Sequence, residues 1–355
     1  MNSSRRRITM TSGDRMVSGW KVWGVPVAFA VLVVTLGAAV AASAEPECPK
    51  WFPDFAENPE CDRQVRPAGS VMPMSFPYLF EDPYITTGLN FVGIWHEFPG
   101  RSVFRGGQLG VLALQARLAI TDRVAFIATK DGIGFLDSDQ AVIDDEDGGI
   151  FNISAGFKVA AWQWEGENAS AILTPSLRYE VPVGQRKVFQ GHDDGILIPA
   201  ATAAVAFGSW HGILGLGGQV PIDKDENSSY LFYNVHLDHA FPVDLGCLEF
   251  VVPFLEVNGL HYTASGDGGR RVKTTLGKLR IEDATAALGL TPFEGLDVVN
   301  LGSSRVSGNN IVTMAWGLRL PMTGGLSLGT SYERPITERK DLFKQRVTVM
   351  LTWEL

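Results

Sequence analysis

The chain closes on Arg346-Val347-Thr348-Val349-Met350-Leu351-Thr352-Trp353-Glu354-Leu355, and this stretch decides the reading of the fold. In an extended chain, successive side chains point to opposite sides. Val347, Val349, Leu351, Trp353 and Leu355 then form one row, and Arg346, Thr348, Met350, Thr352 and Glu354 form the other. A strand that separates hydrocarbon from a polar interior needs this alternation.

The pattern recurs along the chain. Leu112, Leu114, Ala116, Leu118 and Ile120 oppose Gln115 and Arg117; Ile153, Phe157 and Val159 oppose Asn152, Ser154 and Lys158. Leu173, Leu177, Tyr179 and Val181 oppose Thr174, Ser176, Arg178 and Glu180. Leu231, Tyr233, Val235 and Leu237 oppose Asn234, His236 and Asp238; Met314, Trp316, Leu318 and Leu320 oppose Arg319; Leu328 and Tyr332 oppose Glu333. Soluble β-sandwiches also alternate. Two features favour a transmembrane barrel: small and oppositely charged residues on the polar rows, and connections that are alternately short and long.

Taking the short connections as periplasmic turns places strands near 87–98, 107–120, 124–131, 149–163, 169–183, 196–208, 212–220, 229–241, 247–261, 309–320, 326–335 and 343–355. The expected fold class is all-β, an antiparallel transmembrane β-barrel of about 12 strands with both ends on the periplasmic side. This count requires 262–308 to be one long outer loop, and its apolar pieces Ala286–Leu290 and Leu296–Leu301 would raise it to 14 if they were strands. Such a loop serves as a lid or constriction or simply lies on the surface, and the reading favours the surface.

The N-terminus reads as a signal peptide, residues 1–44. Arg5, Arg6, Arg7, Arg15 and Lys21 precede an apolar run from Val25 to Val40, and Ala42-Ser43-Ala44 offers a small-residue cleavage site. A retained membrane anchor is the alternative. Cleavage near Ala44 leaves 25 basic and 38 acidic residues, a formal charge near −13, which argues against a nucleic-acid partner. Residues 45–85 are Pro-rich without alternation and read as a periplasmic N-terminal extension or a plug-like segment, ahead of the barrel at 86–355. In an oxidising envelope Cys48 and Cys61 are candidates for a disulfide, leaving Cys247 over.

The lumen-lining candidates are Arg117, Lys158, Arg178, Glu180, His236, Asp238, Arg319, Glu333 and Arg346. In an open pore such residues set a field on passing solutes; in a narrow barrel they pair and fill the interior. Asn234-x-His236-x-Asp238 is the one pattern with catalytic colour, and a structural hydrogen-bond network is its preferred reading because no partner serine stands out. His211, His239 and His261 are expected at strand ends, solvated or interfacial. The acidic run Asp137, Asp139, Asp144, Asp145, Glu146 and Asp147 lacks EF-hand spacing and is read as a solvated loop. No catalytic residue, metal site or cofactor is assigned.

The runs Phe151-Asn152-Ile153-Ser154-Ala155-Gly156-Phe157-Lys158 and Ser176-Leu177-Arg178-Tyr179-Glu180-Val181-Pro182-Val183-Gly184, with the turn Thr121-Asp122-Arg123, resemble the outer-membrane transporter family linked to meta-pathway phenol degradation. Val183 stands where that family usually has Thr, and the likeness covers mainly 108–220. It implies an outer-membrane channel or facilitator for passive passage of small, often hydrophobic molecules. The terminal strand also resembles the C-terminal signal of outer-membrane barrels, with Leu355 in place of the usual Phe. That likeness implies contact of Trp353 and Leu355 with the barrel assembly machinery. Lipid of the outer membrane and a small-molecule solute are the other expected partners. The alternatives are a lipid-modifying enzyme centred on His236, and a structural or adhesive barrel acting through its outer loops.

Overall fold

The two rows of each strand become the two faces of a closed wall. A computed structural model describes residues 66–355, apart from 103, 140–147, 192–193, 269–270, 275–276, 288 and 291–292. The wall strands are β1 (Gly88–Glu97), β2 (Gly107–Ala119), β3 (Val124–Lys130 with Ile133–Ser138) and β4 (Gly149–Ile150, Ile153–Val159 and Trp162–Glu165). They continue as β5 (Ala169–Val181), β6 (Ile196–Phe207), β7 (Trp210–Pro221), β8 (Ser229–His239 with Phe241–Leu245) and β9 (Leu248–Ala264). The last three are β10 (Asn310–Met322), β11 (Leu326–Pro335) and β12 (Gln345–Glu354). Each pairs antiparallel with its chain neighbours, and β1 pairs with both β2 and β12, His96 standing opposite Arg346. The wall is therefore an all-β, closed, antiparallel 12-stranded barrel.

The 14-strand alternative does not hold. Residues 281–287 form a short helix, and Leu296 and Val299 make only an isolated bridge. A second correction concerns β3, where Ile133–Ser138 continues the strand instead of belonging to a long link, and Asp137 with it. Asp131-Gly132 interrupts the alternation that Phe135 and Leu136 then resume. Gly132 has a φ of 153°, and its carbonyl accepts the Phe151 N–H at 2.9 Å across the break.

The outward rows are apolar. Leu114, Leu177, Leu214, Leu216, Leu231 and Trp316 are all exposed, Leu216 by 61%. Burying such a wall in hydrocarbon removes an otherwise unfavourable apolar surface from water. Among the described residues no helix is long and apolar enough to cross a membrane. A charge near mid-strand on the outside is expected to destabilise the barrel by about 2–4 kcal/mol. Leu216→Arg, unfolded by urea in lipid vesicles, should show this loss; an unchanged midpoint would mean that this face does not meet hydrocarbon.

Short turns, Arg66 at the start of the described residues and Leu355 gather at one rim, where the Leu355 N–H donates to the Thr87 carbonyl at 2.8 Å. The other rim carries the long connections. From the short-turn rim, residues 66–87 enter the cylinder, and every residue from Ser70 to Thr86 is buried. From the opposite rim the connection 265–309 descends, and Phe293, Glu294, Leu296, Asp297, Val299 and Leu301 are buried. The loop is therefore not confined to the surface.

Candidate functional site

The inward rows of β3, β6 and β7 carry Ala125, Thr202, Ala204, Gly215 and Gly217, residues too small to fill a 12-stranded cylinder. Residues 66–87 occupy the space left. The segment rises past Met72 and Met74, turns at Phe76 and returns through Glu81 and Tyr84 to β1. At the turn the amides of Leu79 and Phe80 both donate to the Phe76 carbonyl at 2.9 Å. Phe76 itself has a φ of 52°, a left-handed conformation that non-glycine residues adopt at a cost. Phe76, Tyr78, Leu79, Phe80, Tyr84 and Ile85 pack on wall residues Ile172, Ile198, Ile213, Phe232 and Leu260.

Polar contacts fix this segment at each level. Near the bottom Arg66 holds Asp82 at 2.7 Å and Glu354 at 3.1 Å. Glu81 accepts from Arg117 at 2.7 Å and from Lys158 at 3.0 Å, all three side chains being buried. Glu81 lies outside the wall strands. Burial alone would raise its carboxyl, but Arg117 and Lys158 pull it down to about 2. On the opposite wall, Glu256 accepts the amide of Met74 at 2.9 Å, the amide of Ser75 at 2.7 Å and the Ser75 hydroxyl. At the top Tyr78 donates its hydroxyl to Glu180, which also pairs with Lys130 at 2.6 Å. Arg178 donates to the Tyr78 carbonyl and, at 2.7 Å, to Thr129.

The outer loop meets the segment at Arg346. Its guanidinium makes a two-pronged pair with Asp297 of the loop at 2.6 and 3.0 Å, and lies 5.6 Å from the ring of Phe76 and 4.9 Å from that of Phe343. Between loop and wall, a space lined by Ile94, Val111, Leu296 and Arg346 has a volume of about 10 Å³, room for about one water molecule.

All nine lumen-lining candidates (Arg117, Lys158, Arg178, Glu180, His236, Asp238, Arg319, Glu333 and Arg346) are buried inside the cylinder. They do not form one group. Arg117, Lys158, Arg178 and Glu180 grip the re-entrant segment, Glu333 and Arg346 belong to the outer contact, and Arg319 stands apart toward the short-turn rim. His236 and Asp238 belong to a chain of groups on the inner wall. His211 Nδ1 lies 2.6 Å from Asp238 Oδ1, His236 Nε2 2.9 Å from Asp238 Oδ2, and His236 Nδ1 2.7 Å from Glu256 Oε1. Both ring nitrogens of His236 are thus taken by carboxylates, while the Ser75 hydroxyl is held by Glu256 and Asn258. These contacts join Ser75, His211, His236, Asp238, Glu256 and Asn258 in one buried hydrogen-bond network.

His211 departs from its expected solvated position. It is 2% exposed because its row faces inward, in register with Asp238. His239 is half-buried, its ring 4.5 Å from that of Trp210 and 4.4 Å from that of Phe241. His261 lies 2.8 Å from the Asn310 side chain. Cys247 is an exposed free thiol. Residues 1–44, read from sequence as a signal peptide, lie outside the described residues, as do Cys48, Cys61 and the acidic residues 144–147.

Glu81, Asp82, Glu256 and Asp297 were not among the candidates. Glu256 had a signal: it interrupts the apolar residues of β9 on the row of Phe254 and Asn258, opposite His236. Glu81-Asp82 also had one, as paired acids in an otherwise apolar approach to β1. Asp297 had none, since no alternation marks its loop.

No family profile and no curated protein sequence matches the chain. Among solved structures it is similar to an outer membrane channel from Pseudomonas putida F1, at 13% identity and a TM-score of 0.46, covering 81% of this chain and 100% of that one. It is also similar to LpxR from Salmonella typhimurium, at 9% identity and a TM-score of 0.37, covering 75% and 100%. The β domain of the Bordetella autotransporter BrkA follows at 10% identity and a TM-score of 0.36, covering 76% and 100%.

Proposed function

We propose that the protein is an outer-membrane channel for small molecules, held shut in this state by its own re-entrant segment and outer loop. One observation carries the reading: two chain segments, gripped by the inward side chains of the wall, occupy the interior. A barrel serving only as a scaffold needs no such arrangement, because inward wall residues suffice to fill a narrow cylinder. Segments attached by ion pairs and hydrogen bonds leave a polar-lined passage when they move, and the charges left behind become hydrated. The sequence likeness adds a finer proposal, that the solutes are small and often hydrophobic.

The test is reconstitution into liposomes and planar bilayers. Small neutral solutes should cross faster than in empty vesicles, with current that switches between closed and open levels. Absence of both flux and conductance would overturn the channel and support a sealed structural barrel.

A further inference from the structure

At the short-turn rim a cavity of about 670 Å³ reaches into the barrel beside the re-entrant segment. That size falls in the range of small-molecule sites. Val71, Ile85, Met322 and Leu326 give it apolar walls, and Arg319 stands in its lining.

Arg319 is unlike the other interior cations. Arg117 and Lys158 share Glu81, Lys130 meets Glu180, Arg66 holds Asp82 and Glu354, and Arg346 holds Asp297. Arg178 lacks a carboxylate but is occupied by two backbone carbonyls and Thr129. Arg319 is 1% exposed and, among the described residues, has no carboxylate within 4.0 Å. Its Nη1 donates to Thr352 at 3.0 Å, and its Nη2 to the Met350 sulfur at 2.9 Å and, at a long 3.5 Å, to the Met72 carbonyl, all of them uncharged partners. Its Nε has no partner. Burying a guanidinium without a counter-anion carries a heavy desolvation penalty, so the site is incomplete as it stands. The wall is shaped around this side chain: a Cβ at Gly329 would stand 2.5 Å from Arg319 Cδ.

We infer that this cavity is a binding site for an organic monocarboxylate with an apolar body, its carboxylate on Arg319 and its body against the residues of the lining. Arg66, also in the lining, is held by Asp82 and Glu354, which leaves Arg319 as the lining cation that pairs with no carboxylate among the described residues. Glu249 and Glu354 lie in the lining too and disfavour a ligand of more than one negative charge. The site's place on a transport route rests on the channel reading; its occupancy does not.

Isothermal titration calorimetry on the detergent-solubilised full-length protein tests the assignment, with benzoate, benzamide and inorganic phosphate as probes. Benzoate should bind at least about tenfold more tightly than benzamide, as expected for a charge-assisted hydrogen bond, and more tightly than phosphate. Arg319→Gln should bring benzoate down to the level of benzamide, and Arg319→Lys should retain most of the affinity. Equal binding of benzoate and benzamide, full affinity in Arg319→Gln, or phosphate as the strongest ligand would each overturn the proposal. The comparison on the wild-type chain decides the matter even if a variant fails to fold. Binding without any flux in liposomes would remove the channel reading and leave the site standing.

Discussion

Deleting residues 45–85 is expected to raise the conductance of the reconstituted barrel by on the order of tenfold or more, since a 12-stranded wall encloses more room than small inward side chains fill. The deletion removes Phe76, Tyr78, Leu79, Phe80, Tyr84 and Ile85, which supply the middle of the interior packing. What remains opposite them is Ala125, Ser154, Thr174, Thr202 and Ala204 with Ile172, Ile198, Ile213, Phe232 and Leu260, whose side chains do not span the cylinder. Arg117, Lys158 and Arg178 lose their partners on the segment, but water entering the emptied lumen replaces those contacts. The desolvation penalty of an unpaired cation applies only while the site stays dry, so the wall should survive. Asp297 and Arg346 still hold the outer loop, which keeps the opening partial. Single-channel recording in planar bilayers measures the change. A deletion variant that folds, as judged by heat-modifiable gel mobility, yet conducts like the full chain would show that the segment does not limit passage.

Glu81→Ala should have the next largest effect. Arg117 and Lys158 both converge on this carboxylate, at 2.7 and 3.0 Å. Its loss strands two cations, and removing one partner of a buried ion pair typically costs about 3–5 kcal/mol. The strain is relieved most easily by releasing the segment, so the expected result is rapid proteolysis of residues 66–86 while the wall stays resistant. Because the folded-state value of Glu81 is depressed to about 2, its stabilisation is present above the ordinary carboxylate range and is lost as pH falls toward that value. The wild-type segment should therefore stay protected between about pH 5 and pH 8. Glu167→Ala, at an exposed turn, should change stability by no more than about 0.5 kcal/mol. Equal protection of the segment in Glu81→Ala and Glu167→Ala would remove Glu81 from the account.

The wall was legible because lipid imposes a strict rule on it. Leu173, Leu177 and Val181 face out and Thr174, Arg178 and Glu180 face in because a strand in a closed barrel admits no other choice, and that rule survives without a partner sequence. Where it lapses, the reading failed: Asp131-Gly132 hid the second half of β3. The contents of the barrel follow no such periodicity. Residues 45–85 read as a Pro-rich segment without alternation until Glu81 is placed against Arg117, a contact 36 positions away in sequence. Asp297 reaches Arg346 across 49 positions, and neither residue's row predicts it. His211 was misjudged for a related reason. A strand end suggests water, but its register beside Asp238 turns it inward.

The central claim is that passage requires the re-entrant segment to leave the inner wall. Asn258 Nδ2 donates to Ser75 Oγ at 2.7 Å, so a cysteine pair at these two positions can tie the segment to β9. The decisive measurement is solute flux through liposomes carrying Ser75→Cys with Asn258→Cys, with Cys48, Cys61 and Cys247 replaced by serine. The oxidised barrel should be silent, and dithiothreitol should restore flux to the level of the serine background. An oxidised barrel with its disulfide verified by mass spectrometry that passes solutes as freely as its reduced form would contradict the claim.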